Sequence, residues 1–305
     1  MSTRNPYARP LLTDKEMRAF LEQALEIPNP IMVEELAQCE GSLEILNDNQ
    51  FTIDSDAFRN VAYSTDAKRW ELRKRIVHEL FHKKRATNDE HIKLGKGGAL
   101  ALPKKELKKN SKAFVIIGLP ASGKSGVANT IANHYGAVIL DSDYAKRKLP
   151  EFEKKDVGAT ITHDESDAIV FGGFKKQPSD FESLYSKCVK EKINIVIVKI
   201  GKTQENILAY AEGLKKLHYD VHLVLVSLDR KLATCRAYNR YKKTLRYVPL
   251  ALIFDGYGND PILTYYRLKT FHPKEFKGFL KLSTNVPVHN DPKVIDSMGA
   301  KLTCF

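Results

Sequence analysis

Several features that would fix the class of this chain at once are missing from its sequence. It has only four cysteines, Cys39, Cys188, Cys235 and Cys304, and no two form a CxxC pair. That argues against a disulfide scaffold and a thiolate zinc site, and it suits a reducing compartment. No apolar run approaches the ~20 residues that cross a bilayer. The start, MSTRNPYARP, lacks the apolar core of a signal peptide, so a cytoplasmic protein with no membrane partner is expected. No internal repeat is visible. Acidic residues are outnumbered: 37 Asp and Glu face 49 Lys and Arg, a formal charge of +12. The surplus favours anionic partners, phosphorylated small molecules or nucleic acid. Nucleic acid is the less favoured of the two, because no stacking platform or recognition module is evident.

The chain is long enough, at 305 residues with 43% hydrophobic, to bury a full-sized core and to hold two domains. Residues 1–95 read as a mostly helical N-terminal region. Thr13 and Glu16 have capping-box spacing, and a helix follows up to Pro28. A longer helix carries Leu72, Ile76, Val77, Leu80 and Phe81 as an apolar stripe. Residues 96–112, rich in Gly and Lys, read as a solvated linker. Residues 113–305 differ in texture. Apolar runs AFVIIGLP, GAVILDSD, INIVIVKIG and VHLVLVSLD alternate with helical patterns. Near-continuous apolar strands between helices predict an α/β fold, a parallel sheet covered on both faces, with ligands at the carboxyl ends of the strands.

Two motifs compete for the chemistry. Gly118-Leu-Pro120-Ala121-Ser122-Gly123-Lys124-Ser125 matches GxxxxGK[ST], and an apolar strand runs directly into it. Its glycines let backbone N–H groups wrap a phosphate at a helix N-terminus. Lys124 would reach the β/γ-phosphates and the Ser125 hydroxyl would ligate Mg²⁺. The rival, His78-Glu79-Leu80-Phe81-His82, is the HExxH of zinc peptidases. A catalytic zinc needs a third ligand. Asn88 stands where the extended motif has histidine, and Lys83-Lys84-Arg85 is a poor setting for a dication. An amphipathic helix with surface histidines is the better reading, and ATP with Mg²⁺ the expected cofactor pair.

The second strand ends in Asp141-Ser142-Asp143. Carboxylates beside a phosphate loop can orient the metal, here Asp141, or accept the proton of an attacking hydroxyl, here Asp143. The plain alternative makes Asp143 only a helix N-cap. Arg236, Arg240 and Arg246 read, without further context, as a basic helix face or as charges for a transferring phosphoryl group.

The loop GLPASGKS, the segment DSDYAKRKLPEF and Arg240 followed by TLRYVP resemble the zeta-toxin kinases. The resemblance spans roughly residues 113–290. It implies an ATP-dependent phosphotransferase acting on a hydroxyl of a small molecule, a sugar nucleotide such as UDP-N-acetylglucosamine, with an antitoxin or other inhibitory partner. It places the base on Asp143, the lid arginines on Arg240 and Arg246, and substrate contacts on His163 and Glu165, with Asn290 near the adenine. Two departures stand out. Many members carry Gly where this chain has Ala121, an exchange that is harmless if the position has φ < 0. Lys199 replaces a substrate-side acid, which favours an acceptor bearing phosphate or carboxylate. Nucleotide, dinucleotide or polynucleotide 5′-hydroxyl kinases fit the same parts, and so, outside catalysis, does a P-loop regulatory switch. For residues 1–60 the expectation is a structural role rather than a mask over the site.

Overall fold

Phe114, Val115, Ile116 and Ile117 have no exposed surface at all, the signature of a strand covered on both faces. They belong to β1 (Lys112–Ile117), one of six strands in the computed structural model, which describes residues 8–46, 50–100, 106–154, 156–287 and 290–305. The others are β2 (Val138–Leu140), β3 (Ile195–Val198), β4 (Asp220–Ser227), β5 (Gly278–Ser283) and β6 (Lys293–Gly299). They form one sheet in the order β2-β3-β1-β4-β5-β6. The first five run parallel, with Phe114 opposite Val196 on one side and His222 on the other, and β6 closes the edge antiparallel to β5. The four apolar runs of the sequence are β1 to β4. The last two strands were not expected, since the outer one exposes most of its residues and lacks the apolar run of a buried strand.

Helices α1 (Asp14–Ala19), α2 (Val33–Glu44) and α3 (Asp66–His82) precede the sheet. The capping box of Thr13 and Glu16 is present. After β1 comes α4 (Lys124–Tyr135), and after β2 come α5 (Ser142–Lys146), α6 (Gly158–Ile161), α7 (His163–Phe171) and α8 (Leu184–Lys190). Then α9 (Gln204–Lys216) follows β3, while α10 (Arg230–Thr244) and α11 (Asp260–Phe271) lie between β4 and β5.

The boundary expected at residue 96 does not exist. The stripe of α3 is buried in the same core as the strands: Leu72, Ile76 and Leu80 are at most 1% exposed and join Ile116, Val138 and Ile195. Each such side chain contributes roughly 1.5–3 kcal/mol, so this helix is part of the sheet domain. The supposed linker is packed as well, as far as it is described. Ala99 is fully buried, donates to the Leu80 carbonyl and accepts from Ile139 N–H. A Cβ at Gly98 would stand 1.9 Å from the Lys83 carbonyl oxygen, so only glycine passes there. Residues 101–105, which hold two of the linker lysines, lie outside the described residues.

Helices α1 and α2 take a different partner. Met17, Phe20, Leu21 and Leu36 share a second core with Ala233, Tyr238 and Tyr241 of α10 and with Leu250 and Ile253 beyond it. Arg9 ties this module to the same region, donating from Nε (2.7 Å) and Nη2 (2.9 Å) to Asp255 and lying over the rings of Phe20 and Phe254.

The peptidase-like motif is spent on structure. Glu79 is 3% exposed and accepts from the buried Lys148 Nζ at 2.8 Å and from Gly95 N–H at 2.8 Å.

Candidate active site

β1 and β3 are neighbours in space though not in sequence, and the ligand crevice of such sheets opens at their carboxyl ends. Residues 118–125 turn there from β1 into α4. Gly123 sits at φ +92° as the N-cap of α4 and supplies no side chain to its N–H groups, which leaves them for an anion. The Ser122 hydroxyl is buried among these groups with no partner. Lys124 Nζ donates to the carbonyls of Gly118 (2.7 Å) and Leu119 (2.6 Å). Enclosure drags its pKa down to about 8 against the pull of Asp141 and Asp143. Ala121 does not meet the condition that would make it harmless: its φ is +59°, in the left-handed region that disfavours every residue with a Cβ. The loop is braced from β5, since Thr284 Oγ1 donates to the Ser122 carbonyl (2.6 Å) and Arg236 Nη2 to the Thr284 carbonyl (2.8 Å).

At the end of β2, Asp141 and not Asp143 is the N-cap, its carboxylate accepting from Asp143 N–H at 2.9 Å. Burial and the charge of Asp143 raise its pKa to about 6. Asp143 lies in the first turn of α5 with its side chain 42% exposed. Lys146 Nζ lies 3.2 Å from one carboxylate oxygen, and Arg246 Nη2 donates to the other at 2.7 Å. Burial opposes its ionisation, but the charges of Lys146, Arg246 and Arg147 prevail and hold it well below the usual carboxylate range. Lys146 is in turn 3.2 Å from His163 Nδ1; burial first, then that ammonium, lowers the histidine pKa.

These groups face one cleft of about 1420 Å³, lined by residues of 118–125, by Asp141, Asp143, Lys146, His163 and Lys199, and by Arg236, Arg240 and Arg246. Arg240 and Arg246 each keep a buried Nε without a partner. Among the described residues no cluster of three or more His, Cys, Asp or Glu could grip a metal alone. Ser125 and Asp141 beside a phosphate loop suit a magnesium ion, which binds through one or two protein oxygens and substrate phosphates.

Two candidates stand elsewhere, and one has unexpected company. Glu165 is 0% exposed and faces away from the cleft, pairing with Arg69 (2.5 Å) and Arg73 (2.7 Å) of α3, where Glu151 completes the cluster. Asn290 is exposed and does not line the cleft. Lys199 does line it, yet its counter-charge is internal. Its Nζ donates to Asp167 (2.8 Å) and lies 3.6 Å from the Phe171 ring centre, so it needs no anionic acceptor to neutralise it. Sequence reasoning missed Lys146, Arg147 and Glu90, and an aromatic wall of Phe171, Tyr185 and Tyr210 contributed by three successive helices. The wall leaves no local signal, since its members are scattered over forty residues of chain.

The Zeta toxin profile matches residues 100–257, just over half of the chain. The chain belongs to the Zeta toxin family. It is an ATP-dependent kinase with a P-loop kinase fold. A solved structure from the PezAT chromosomal toxin–antitoxin system of Streptococcus pneumoniae superposes with a TM-score of 0.53 at 15% identity, over 79% of this chain and 83% of that one; the likeness is one of fold. A gluconokinase from Sinorhizobium meliloti aligns over 59% of this chain and 86% of that one at 14% identity, with a TM-score of 0.33 too low to carry an argument. No curated protein matches the chain. No helix among the described residues is long and apolar enough to cross a membrane.

Proposed function

We propose that this kinase moves the γ-phosphoryl group of ATP to a hydroxyl of a sugar nucleotide of the UDP-N-acetylglucosamine kind. The observation that carries the reading is the convergence, in one cleft, of the phosphate loop, a carboxylate and two lid arginines with an aromatic wall beyond them. In this reading the N–H groups at the start of α4 and Lys124 hold the nucleotide phosphates. Asp143 orients the acceptor hydroxyl and takes its proton. Arg240 and Arg246 spread the charge of the transferring group. Magnesium, when bound, neutralises the β- and γ-phosphates, and Ser125 and Asp141 are the residues that would hold it. His163 and Lys199 shape the acceptor side, and Tyr185 and Tyr210 line an apolar wall for the flat end of the acceptor. A free monosaccharide would leave that wall unused. The kinship with a toxin fold extends the proposal to an inhibitory protein partner of antitoxin type.

The test incubates the protein with γ-³²P-labelled ATP and a panel of sugar nucleotides, dinucleotides, oligonucleotides with a 5′-hydroxyl and free sugars. Label should pass to a sugar nucleotide. Transfer to the oligonucleotide or the dinucleotide alone would overturn the assignment.

A further inference from the structure

Glu90 lies N-terminal to the segment that carries the family likeness, in a short turn that leads out of α3. The turn is fixed at three points. Asn88 caps it, with its side chain accepting from Glu90 N–H at 2.9 Å. Tyr144 donates to Asp89 at 3.2 Å, and Ile92 is buried in the sheet core. So anchored, Glu90 reaches across a polar cavity of about 450 Å³ that it shares with Ser125, Asp143, Arg147, Arg240 and Arg246.

Its carboxylate accepts a two-pronged bond from Arg147, at 2.8 Å on each oxygen, and the oxygen that Nη2 of Arg147 engages lies 3.7 Å from Arg246 Nη1. Arg147 is 6% exposed and Arg246 11%. Both guanidinium groups lie against the same ring, Phe152, at 5.7 and 5.3 Å from its centre. Two cations so near one another, and largely out of water, repel unless a negative charge stands between them. Asp143 supplies one, but only to Arg246 among the hydrogen bonds. Glu90 is the other, and it touches both.

We infer that Glu90 is a positioning residue of the phosphotransfer site. Clamped by Arg147, it presents a fixed negative charge to Arg246 and so holds that guanidinium in its bond to Asp143. The N-terminal part of the chain thereby supplies a group the kinase segment needs but does not contain. The inference rests on the proposed roles of Asp143 and Arg246 and adds a dependence on a residue outside the family match.

Three variants test it: Glu90→Gln, Glu90→Asp, and Glu90→Gln combined with Arg147→Met. They are measured by steady-state kinetics with the acceptor found in the labelling panel, or by ATP hydrolysis if none is found. Glu90→Gln should lower kcat about tenfold or more while the KM for ATP stays within about twofold, since the lost contact orders a group used in the transition state. Glu90→Asp should recover part of the loss. The double variant removes the buried unpaired cation that Gln alone leaves behind, so it folds even if the single variant does not. Its kcat should remain low, because Arg246 still lacks its second counter-charge. Wild-type kcat in the double variant would reduce Glu90 to a structural partner of Arg147, and a twofold or smaller loss in Glu90→Gln would sink the inference. If instead Asp143→Asn retains full activity, the failure lies in the assignment of the base and not in Glu90.

Discussion

The two ends of the cleft are built on opposite plans. In the proposed reading the nucleotide end is one continuous stretch, residues 118–125, whose work falls to backbone N–H groups and a single lysine. The acceptor end is assembled from side chains of many separate segments: Asp143 and Lys146, His163 and Phe171, Lys199, Tyr210, and Arg240 and Arg246. A site made of backbone depends on conformation and tolerates changes of side chain that respect it. A site made of side chains depends on charge balance, and each member holds its neighbour. Asp143 shows the second plan most clearly, with a cation on each oxygen.

Substitutions at the two ends should therefore fail differently. Asp143→Asn should lower turnover by ~10²–10⁴ with nucleotide binding intact, the loss expected for a general base. Lys124→Ala should lower turnover by ~10²–10³, comparable to removal of one fixed donor to the developing charge, and should weaken ATP binding too. Steady-state kinetics beside a fluorescent-nucleotide titration separates the two, and equal damage to ATP affinity in Asp143→Asn would place that residue on the metal instead.

Next in size is a change beneath the acceptor end. Glu165→Gln should cost about 3–5 kcal/mol of stability, because it leaves Arg69 and Arg73 less than fully paired in a buried cluster. Burial opposes ionisation of Glu165, yet Arg69 and Arg73 hold its pKa below the ordinary 4.5. A carboxylate with a depressed folded pKa contributes stability in full above its unfolded value, and that contribution is lost as the pH falls through the folded one. Urea denaturation should thus show wild-type stability declining below about pH 4.5 more steeply than that of Glu165→Gln. Parallel curves would show that the cluster is not pH-linked.

Lys199→Met should raise the KM for the acceptor about tenfold, equivalent to ~1.4 kcal/mol, with the KM for ATP unchanged. The freed Asp167 would then face the cleft as an uncompensated acid. An unaltered acceptor KM would mean that Lys199 only closes a charge pair with Asp167.

The smallest effect belongs to the nucleotide end and should be a gain. Left-handed backbone costs a residue with a Cβ roughly 1–2 kcal/mol, and glycine gives back about 0.5–1 kcal/mol in entropy. Ala121→Gly should therefore stabilise the protein by about 0.5 kcal/mol, readable as a slight rise in Tm, with kcat little changed. A lower Tm would mean that the Ala121 methyl contributes more by its packing beside the second core than it costs in strain.

The contrast also explains what could be read in advance. The phosphate loop, the Asp141–Asp143 pair and β1 to β4 are local patterns, each carried by a few consecutive residues. Their positions follow from periodicity and spacing. The linker reading failed for a physical reason: composition reports solvation only where the backbone is free, and Gly97-Gly98-Ala99 is threaded between α3 and β2 by hydrogen bonds that no count of lysines reveals. Glu165 failed similarly. His163, Asp164 and Asp167 of α7 line the cleft, but Glu165 lies on the other face of that helix and is turned toward Arg69 and Arg73 of α3. Ala121 could not have been settled from sequence, since the sign of one dihedral angle decided it.

The pairing of α1 and α2 with α10 has a dynamic consequence. Their shared core is distinct from the one around the sheet, so they are expected to open as one cooperative unit. Amides buried in α1, α2 and α10 should exchange hydrogen with a common opening free energy, lower than that of β1, β3 and β4. Arg240 rides on that unit, at the C-terminal part of α10. Whatever loosens residues 8–46 should therefore change the fraction of time for which Arg240 lines the cleft beside the phosphate loop.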